Sequence, residues 1–109
     1  MKRVVFVGSA LRDIRAFPDD ARSEAGYQLG RVQRGLEPDH WKPMTGIGPG
    51  VREIRVRDGS GAFQVIYIAT WDEAIYVLHA FQKRTQRTAQ RDLGLAATRL
   101  RQLAKDRPA

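Results

Sequence analysis

The side chains able to do chemistry in this chain are few and unevenly spread. His79 lies in the apolar run Val77-Leu78-His79-Ala80-Phe81, and an imidazole titrates close to working pH, so it can take or give a proton. Arg55 and Arg57 alternate in Val51-Arg52-Glu53-Ile54-Arg55-Val56-Arg57-Asp58, and guanidinium forks match phosphate oxygens. Gln64 can hydrogen-bond a phosphate, Phe81 can stack on a splayed base, and Lys83, Arg84 and Arg87 follow close behind. Together they suit metal-free cleavage of RNA through its 2′-hydroxyl. That reaction needs a base for the hydroxyl proton, cations around the crowded phosphate and an acid for the leaving 5′-oxygen. Each residue also has a plainer reading. A histidine in an apolar strand is a common hydrogen-bonded structural residue, alternating arginines can be a solvated strand face, and Lys83, Arg84 and Arg87 can be generic basic surface.

Other chemistries find little support. The chain has no cysteine, which excludes disulfides and thiolate metal sites. It has no histidine pair at metal spacing and no acidic cluster, so neither a metal nor a cofactor is expected. Ser9 and Ser60 have no nucleophile context, and His40, in a loop, is assigned no role. Gly46-x-Gly48-x-Gly50 leads into a strand, where a phosphate cradle would lead into a helix. No stretch approaches the roughly 20 apolar residues of a membrane span. No membrane association is expected, and residence in the cytoplasm is the default.

Charge points to a polyanion. Nineteen Lys and Arg against twelve Asp and Glu give a net charge of +7 over 109 residues and an isoelectric point near 10.6, the electrostatic footprint of a nucleic-acid partner. A merely soluble basic surface or an acidic protein partner would account for it too. The length suits a single domain over residues 1–109.

Residues 3–7 read as a strand. Ser9 is a candidate cap for a short helix through Phe17, and a second helix opens near Pro18 and runs to about Arg34. Ala25, Leu29, Val32 and Leu36 form its apolar face, and Gly35 ends it. Gly26 and Gly30 inside it suggest close packing. Residues 38–50 read as a loop pinned by Trp41 and Met44. Strands follow over 51–58, 62–69 and 75–83, with a tight turn at Asp58-Gly59-Ser60-Gly61. A last helix spans about 89–104, capped by Thr85 or Thr88, with Leu93, Ala96, Ala97, Leu100 and Leu103 as its apolar stripe. The order β-α-α-β-β-β-α implies an α+β fold, with a curved, mainly antiparallel sheet, two N-terminal helices on one face and a C-terminal helix.

Period-2 geometry then aligns the candidates. With Gly59 and Ser60 in the turn, Arg57 opposes Ala62, Arg55 opposes Gln64 and Ile54 opposes Val65. With 70–73 as the next loop, Gln64 opposes His79 and Ala62 opposes Phe81. Arg55, Gln64 and His79 would then form a row across three strands. Ile54, Val56, Phe63, Val65, Tyr67 and Leu78 would form the core face.

Several segments resemble a known family. Trp41-Lys42-Pro43-Met44, the strand from Gly50 to Arg57, Gly61-Ala62-Phe63-Gln64-Val65-Ile66-Tyr67, and the run from Val77 through Lys83-Arg84-Thr85 to Thr88 are similar to the phage-derived Gp49-like (HigB-like) branch of the RelE/HigB toxin superfamily. The helix with Asp92, Ala96, Ala97 and Leu100 continues the likeness. It covers residues 40–104 well and the first 40 only in general pattern. The resemblance implies the toxin of a type II toxin–antitoxin pair, an endoribonuclease (mRNA interferase) that inhibits translation by cutting mRNA on the ribosome without a metal. It also implies a helix-turn-helix antitoxin as partner and contact with operator DNA only through the antitoxin complex. By position, Arg55 matches the family's Glu-Leu-Arg-like strand motif, and His79, Phe81, Lys83 and Thr85 match its terminal strand motif. Gln64 departs from it, since many relatives carry arginine there. This leaves a catalytically weak or inactive RNA- or antitoxin-binding homologue as an alternative, and a gyrase inhibitor of the ParE type as another.

Overall fold

The computed structural model describes residues 1–107. The elements are β1 (Val4–Phe6), α1 (Ala10–Arg15), α2 (Asp19–Gln33), β2 (Trp41–Pro43), β3 (Val51–Asp58), β4 (Gly61–Ile68), β5 (Ile75–Lys83) and α3 (Gln90–Asp106). They form one five-stranded sheet in the order β1-β5-β4-β3-β2. β1 runs parallel to β5, and the other pairs are antiparallel. The α+β class and the helix order agree with the sequence expectation. The short strand β2 is an addition within the stretch expected to be loop. There Trp41 pairs with Ile54 and Pro43 with Arg52, while Met44 packs into the core.

Helices cover both faces of the sheet. On one face Ile14, Phe17, Ala21, Ala25, Leu29 and Val32 of the N-terminal segment pack on Ile54, Val56, Phe63, Val65 and Tyr67. The Phe17 and Phe63 rings lie 4.8 Å apart, and truncating such a buried ring to alanine costs about 3–5 kcal/mol. On the opposite face Ala96, Leu100 and Leu103 of α3 pack on Val51, Ile66, Ile68, Tyr76 and Leu78. Leu78 was expected in the first cluster and lies in the second.

The hairpin between β3 and β4 has the expected register, with Arg55 opposite Gln64 and Arg57 opposite Ala62. The β4–β5 register differs by two residues. Phe81 opposes Gln64, Lys83 opposes Ala62 and His79 opposes Ile66. Two one-residue displacements add. Ile68 pairs with Tyr76, so the connection is longer than four residues, and a bulge between Ile66 and Tyr67 leaves Leu78 without a partner across the ladder. A single displacement would have turned His79 and Phe81 to the other face, whereas two restore it. The bulge turns Leu78 towards α3, and its carbonyl accepts a hydrogen bond from Arg99 Nη1 at 2.9 Å. Gly8, at φ +56°, lets the same guanidinium approach where any Cβ would lie within 2.9 Å of it.

Helix ends differ in part from expectation. Gly35, at φ +79°, donates its N–H to Val32 O and Leu36 donates to Arg31 O, both at 3.0 Å, the paired closure of a Schellman motif. Leu36 therefore lies beyond α2 and is exposed. Ser9 makes no capping bond to α1; its hydroxyl donates to Asp13 Oδ2 at 2.8 Å. Neither threonine caps α3, which begins after Ala89. Nothing approaches Gly26 or Gly30 closely, so tight packing does not explain them.

Candidate nucleic-acid interface

Three rungs of the sheet carry the polar side chains on the α3 side. The first is Lys42-Glu53-Ile66-His79, the second Arg55-Gln64-Phe81 and the third Arg57-Ala62-Lys83. The expected row of Arg55, Gln64 and His79 is thus replaced by Arg55, Gln64 and Phe81, with His79 one rung away. Arg55 and Arg57 are exposed, Phe81 and Lys83 are half-buried, and Arg84 and Arg87 are exposed on the segment between β5 and α3. Arg55, Arg57, Lys83, Arg84 and Gln64 line one open groove of about 1180 Å³. Four cations along one groove suit a phosphodiester backbone.

His79 and Gln64 lie beneath the start of α3. His79 is 6% exposed. Its Nε2 is 2.7 Å from Asp92 Oδ1, its ring stacks on Phe81 at 4.9 Å, and its buried Nδ1 has no hydrogen-bond partner among the described residues. Gln64, 2% exposed, accepts a 3.3 Å hydrogen bond from Thr88 Oγ1.

Sequence reasoning missed Glu53. It is fully buried, neither carboxylate oxygen has a hydrogen-bond partner among the described residues, and the Arg55 Nε lies 3.6 Å from its Oε1. Burial pushes its carboxyl above the ordinary value of 4.5, and the charges of Lys42, Arg55 and Lys83 oppose this in part. A buried carboxylate that is poorly solvated and sits next to an exposed cation is the usual chemistry of a proton acceptor. The available signal was its position within Glu53-Ile54-Arg55, the motif read only for its arginine.

Among the described residues, no group of three or more His, Cys, Asp or Glu side chains could hold a metal ion. Nor is any helix there long and apolar enough to cross a membrane.

The family described as "Phage derived protein Gp49-like (DUF891)" matches residues 12–101. No curated protein gives a significant match. Among solved structures the chain is similar to an arginine-to-alanine double mutant of the E. coli toxin RelE in its free state. The TM-score is 0.64 at 14% identity, over 94% of this chain and 97% of that one. At that identity the likeness concerns the fold alone. The chain belongs to the phage-derived Gp49-like family, and its fold is similar to that of the toxin RelE.

Proposed function

We propose that this protein is the toxin of a type II toxin–antitoxin pair that arrests translation by cutting mRNA on the ribosome. The observation that carries this reading is the groove lined by Arg55, Arg57, Lys83 and Arg84, with the buried Glu53 carboxylate, unpartnered among the described residues, 3.6 Å from the Arg55 Nε beneath it. In this reading Arg55 and Lys83 hold the scissile phosphate and neutralise charge in the transition state. Glu53 takes the 2′-hydroxyl proton, and the resulting alkoxide attacks phosphorus. His79 returns a proton to the departing 5′-oxygen. Glu53 and His79 flank Ile66 on one rung, so their strands lie about 10 Å apart, a span that side chains on both sides can close around a ribose–phosphate. Phe81 stacks on a base, and Arg57, Arg84 and Arg87 track the backbone. Glu53, Gln64 and His79 are all buried in the free protein, so Thr88 and Asp92 must release Gln64 and His79, and the Glu53 carboxylate must be uncovered, before RNA is seated.

The expected partners are ribosome-bound mRNA and a helix-turn-helix antitoxin, with operator DNA reached only through the pair. The single domain and the cytoplasm are its proposed setting. The test is brief expression in growing cells with mapping of new 5′ ends. Growth arrest with cuts inside translated frames supports the reading, and both effects disappear in the Arg55→Ala variant. Arrest with intact transcripts and trapped gyrase breaks rejects it.

The burial of Gln64 favours one second reading, a binding homologue with weak or absent cleavage, because a neutral amide under Thr88 contributes no charge to a phosphate. A Gln64→Arg variant that cuts where the parent does not would establish that reading.

A further inference from the structure

A second hollow, of about 370 Å³, opens at the other end of β3, on the α2 face of the sheet. Arg52 and Tyr67 oppose one another across β3 and β4 and form part of its wall, with Val32 and Leu36 from the end of α2. Tyr67 is 1% exposed. Its hydrogen-bonding neighbour among the described residues is Arg52, and a guanidinium only donates. The phenolic hydrogen is therefore left without an acceptor. Burial raises the phenol above its ordinary value of 10.0 and keeps that hydrogen in place. Arg52 is held ready as well. Its guanidinium lies 3.9 Å over the Trp41 ring, and its Nη1 is 3.8 Å from Glu37 Oε1, too far for a hydrogen bond. Lys2, the other cation of this wall, is already committed. Its Nζ donates to Ala69 O at 2.6 Å and to Trp71 O at 2.9 Å.

We propose that this hollow binds a free α-amino acid with a branched apolar side chain, such as leucine. Its carboxylate meets both needs of one wall, since Arg52 offers a fork of N–H donors and the Tyr67 O–H gains an acceptor. Its ammonium faces Glu37 and the negative end of α2, where the chain closes at Gly35 and Leu36. Leu36 is 48% exposed and, with Val32, offers apolar surface to the ligand side chain. A plain anion fits less well, because Glu37 repels it and Lys2 is spent on carbonyls. A zwitterion inserts between Arg52 and Glu37 and satisfies each. The volume is at the small end of ligand pockets, which run from about 300 to 1,000 Å³. The site lies apart from the basic groove and its test uses no RNA, so its failure leaves the nuclease reading untouched.

The probe is L-leucine titrated into the isotope-labelled intact protein, followed by nuclear magnetic resonance. The expected result is saturable shifts at the Trp41 indole and at the Leu36 and Glu37 amides, half-complete at about 1 mM, with the Arg57 and Lys83 amides unmoved. Leucinamide, which lacks the carboxylate, and 4-methylpentanoate, which lacks the ammonium, bind about tenfold or more weakly. Tyr67→Phe and Arg52→Gln weaken leucine by a similar factor. Glu37→Gln weakens leucine but leaves 4-methylpentanoate unchanged or tighter. Should a variant fail to fold, the two analogues test the same contacts on the intact protein. No saturation at tens of millimolar, equal binding of either analogue, equal shifts with inorganic phosphate, or undiminished leucine binding in folded Tyr67→Phe and Glu37→Gln overturns the proposal.

Discussion

The His79 imidazole meets the Asp92 carboxylate at 2.7 Å, tying the middle of β5 to the first turn of α3. The contact lies between side chains that are 7% and 14% exposed. The segment leading into this helix is held at Gln64 by Thr88, and the helix itself again at Leu78 by Arg99. The N-terminal end of α3 therefore covers the two candidate residues that sequence alignment across strands had brought to the surface.

An Asp92→Ala substitution strands a buried imidazole and should cost about 1–3 kcal/mol of stability. The expected outcome is a lower melting temperature with faster amide exchange in the first turns of α3. Unchanged exchange there would mean that apolar packing by Ala96 and Leu100 holds the helix unaided.

Glu53 should make stability depend on pH in a defined direction. Its folded-state carboxyl titrates above its unfolded value of 4.5. The folded state therefore binds the proton more tightly than the unfolded state. Stability is highest below the unfolded value and falls as pH rises through the raised one. A Glu53→Gln variant should lose that slope, melt higher than the parent at neutral pH, and cut RNA at least about 100-fold more slowly. Thermal melts across pH 4–8 with cleavage assays check all three.

The C-terminal clasp has the opposite sign. Arg107 donates to both Glu73 oxygens, at 2.6 and 2.9 Å, and stacks on Trp71 at 3.8 Å. Its hydrogen bonds pull the Glu73 carboxyl down to about 2. The clasp's contribution is present above the unfolded value of 4.5 and is lost as pH falls towards 2. Trp71 emission, followed in a Trp41→Phe background, should change across that interval in the parent and stay flat in the Arg107→Ala variant.

How much of this was legible in the sequence depends on what local signals could reach. Asp58 accepts from Ser60 N–H at 2.7 Å, a side-chain turn bond of the kind an Asp-Gly-Ser-Gly run announces, so the β3–β4 register and the Arg55–Gln64 pair were readable. The β4–β5 register was not, because Leu78 in the bulge resembles any other apolar strand residue and its carbonyl partner, Arg99, is distant in sequence. β2 is three residues long and sits among prolines and glycines, so no periodicity marks it. Arg55 and Arg57 alternate with apolar residues as a half-exposed strand does. Glu53 follows the same alternation, yet is buried, and nothing in its own segment marks it apart from Arg55 and Arg57.

The most direct measurement is the chemistry of the cut ends. Programmed ribosomes incubated with the purified protein should release fragments with 5′-hydroxyl and 2′,3′-cyclic phosphate ends, the products of 2′-hydroxyl attack assisted by Glu53 and Arg55, and neither Glu53→Gln nor Arg55→Ala should release them at a comparable rate. Fragments carrying 5′-phosphates, or undiminished cutting by both variants, would contradict the account.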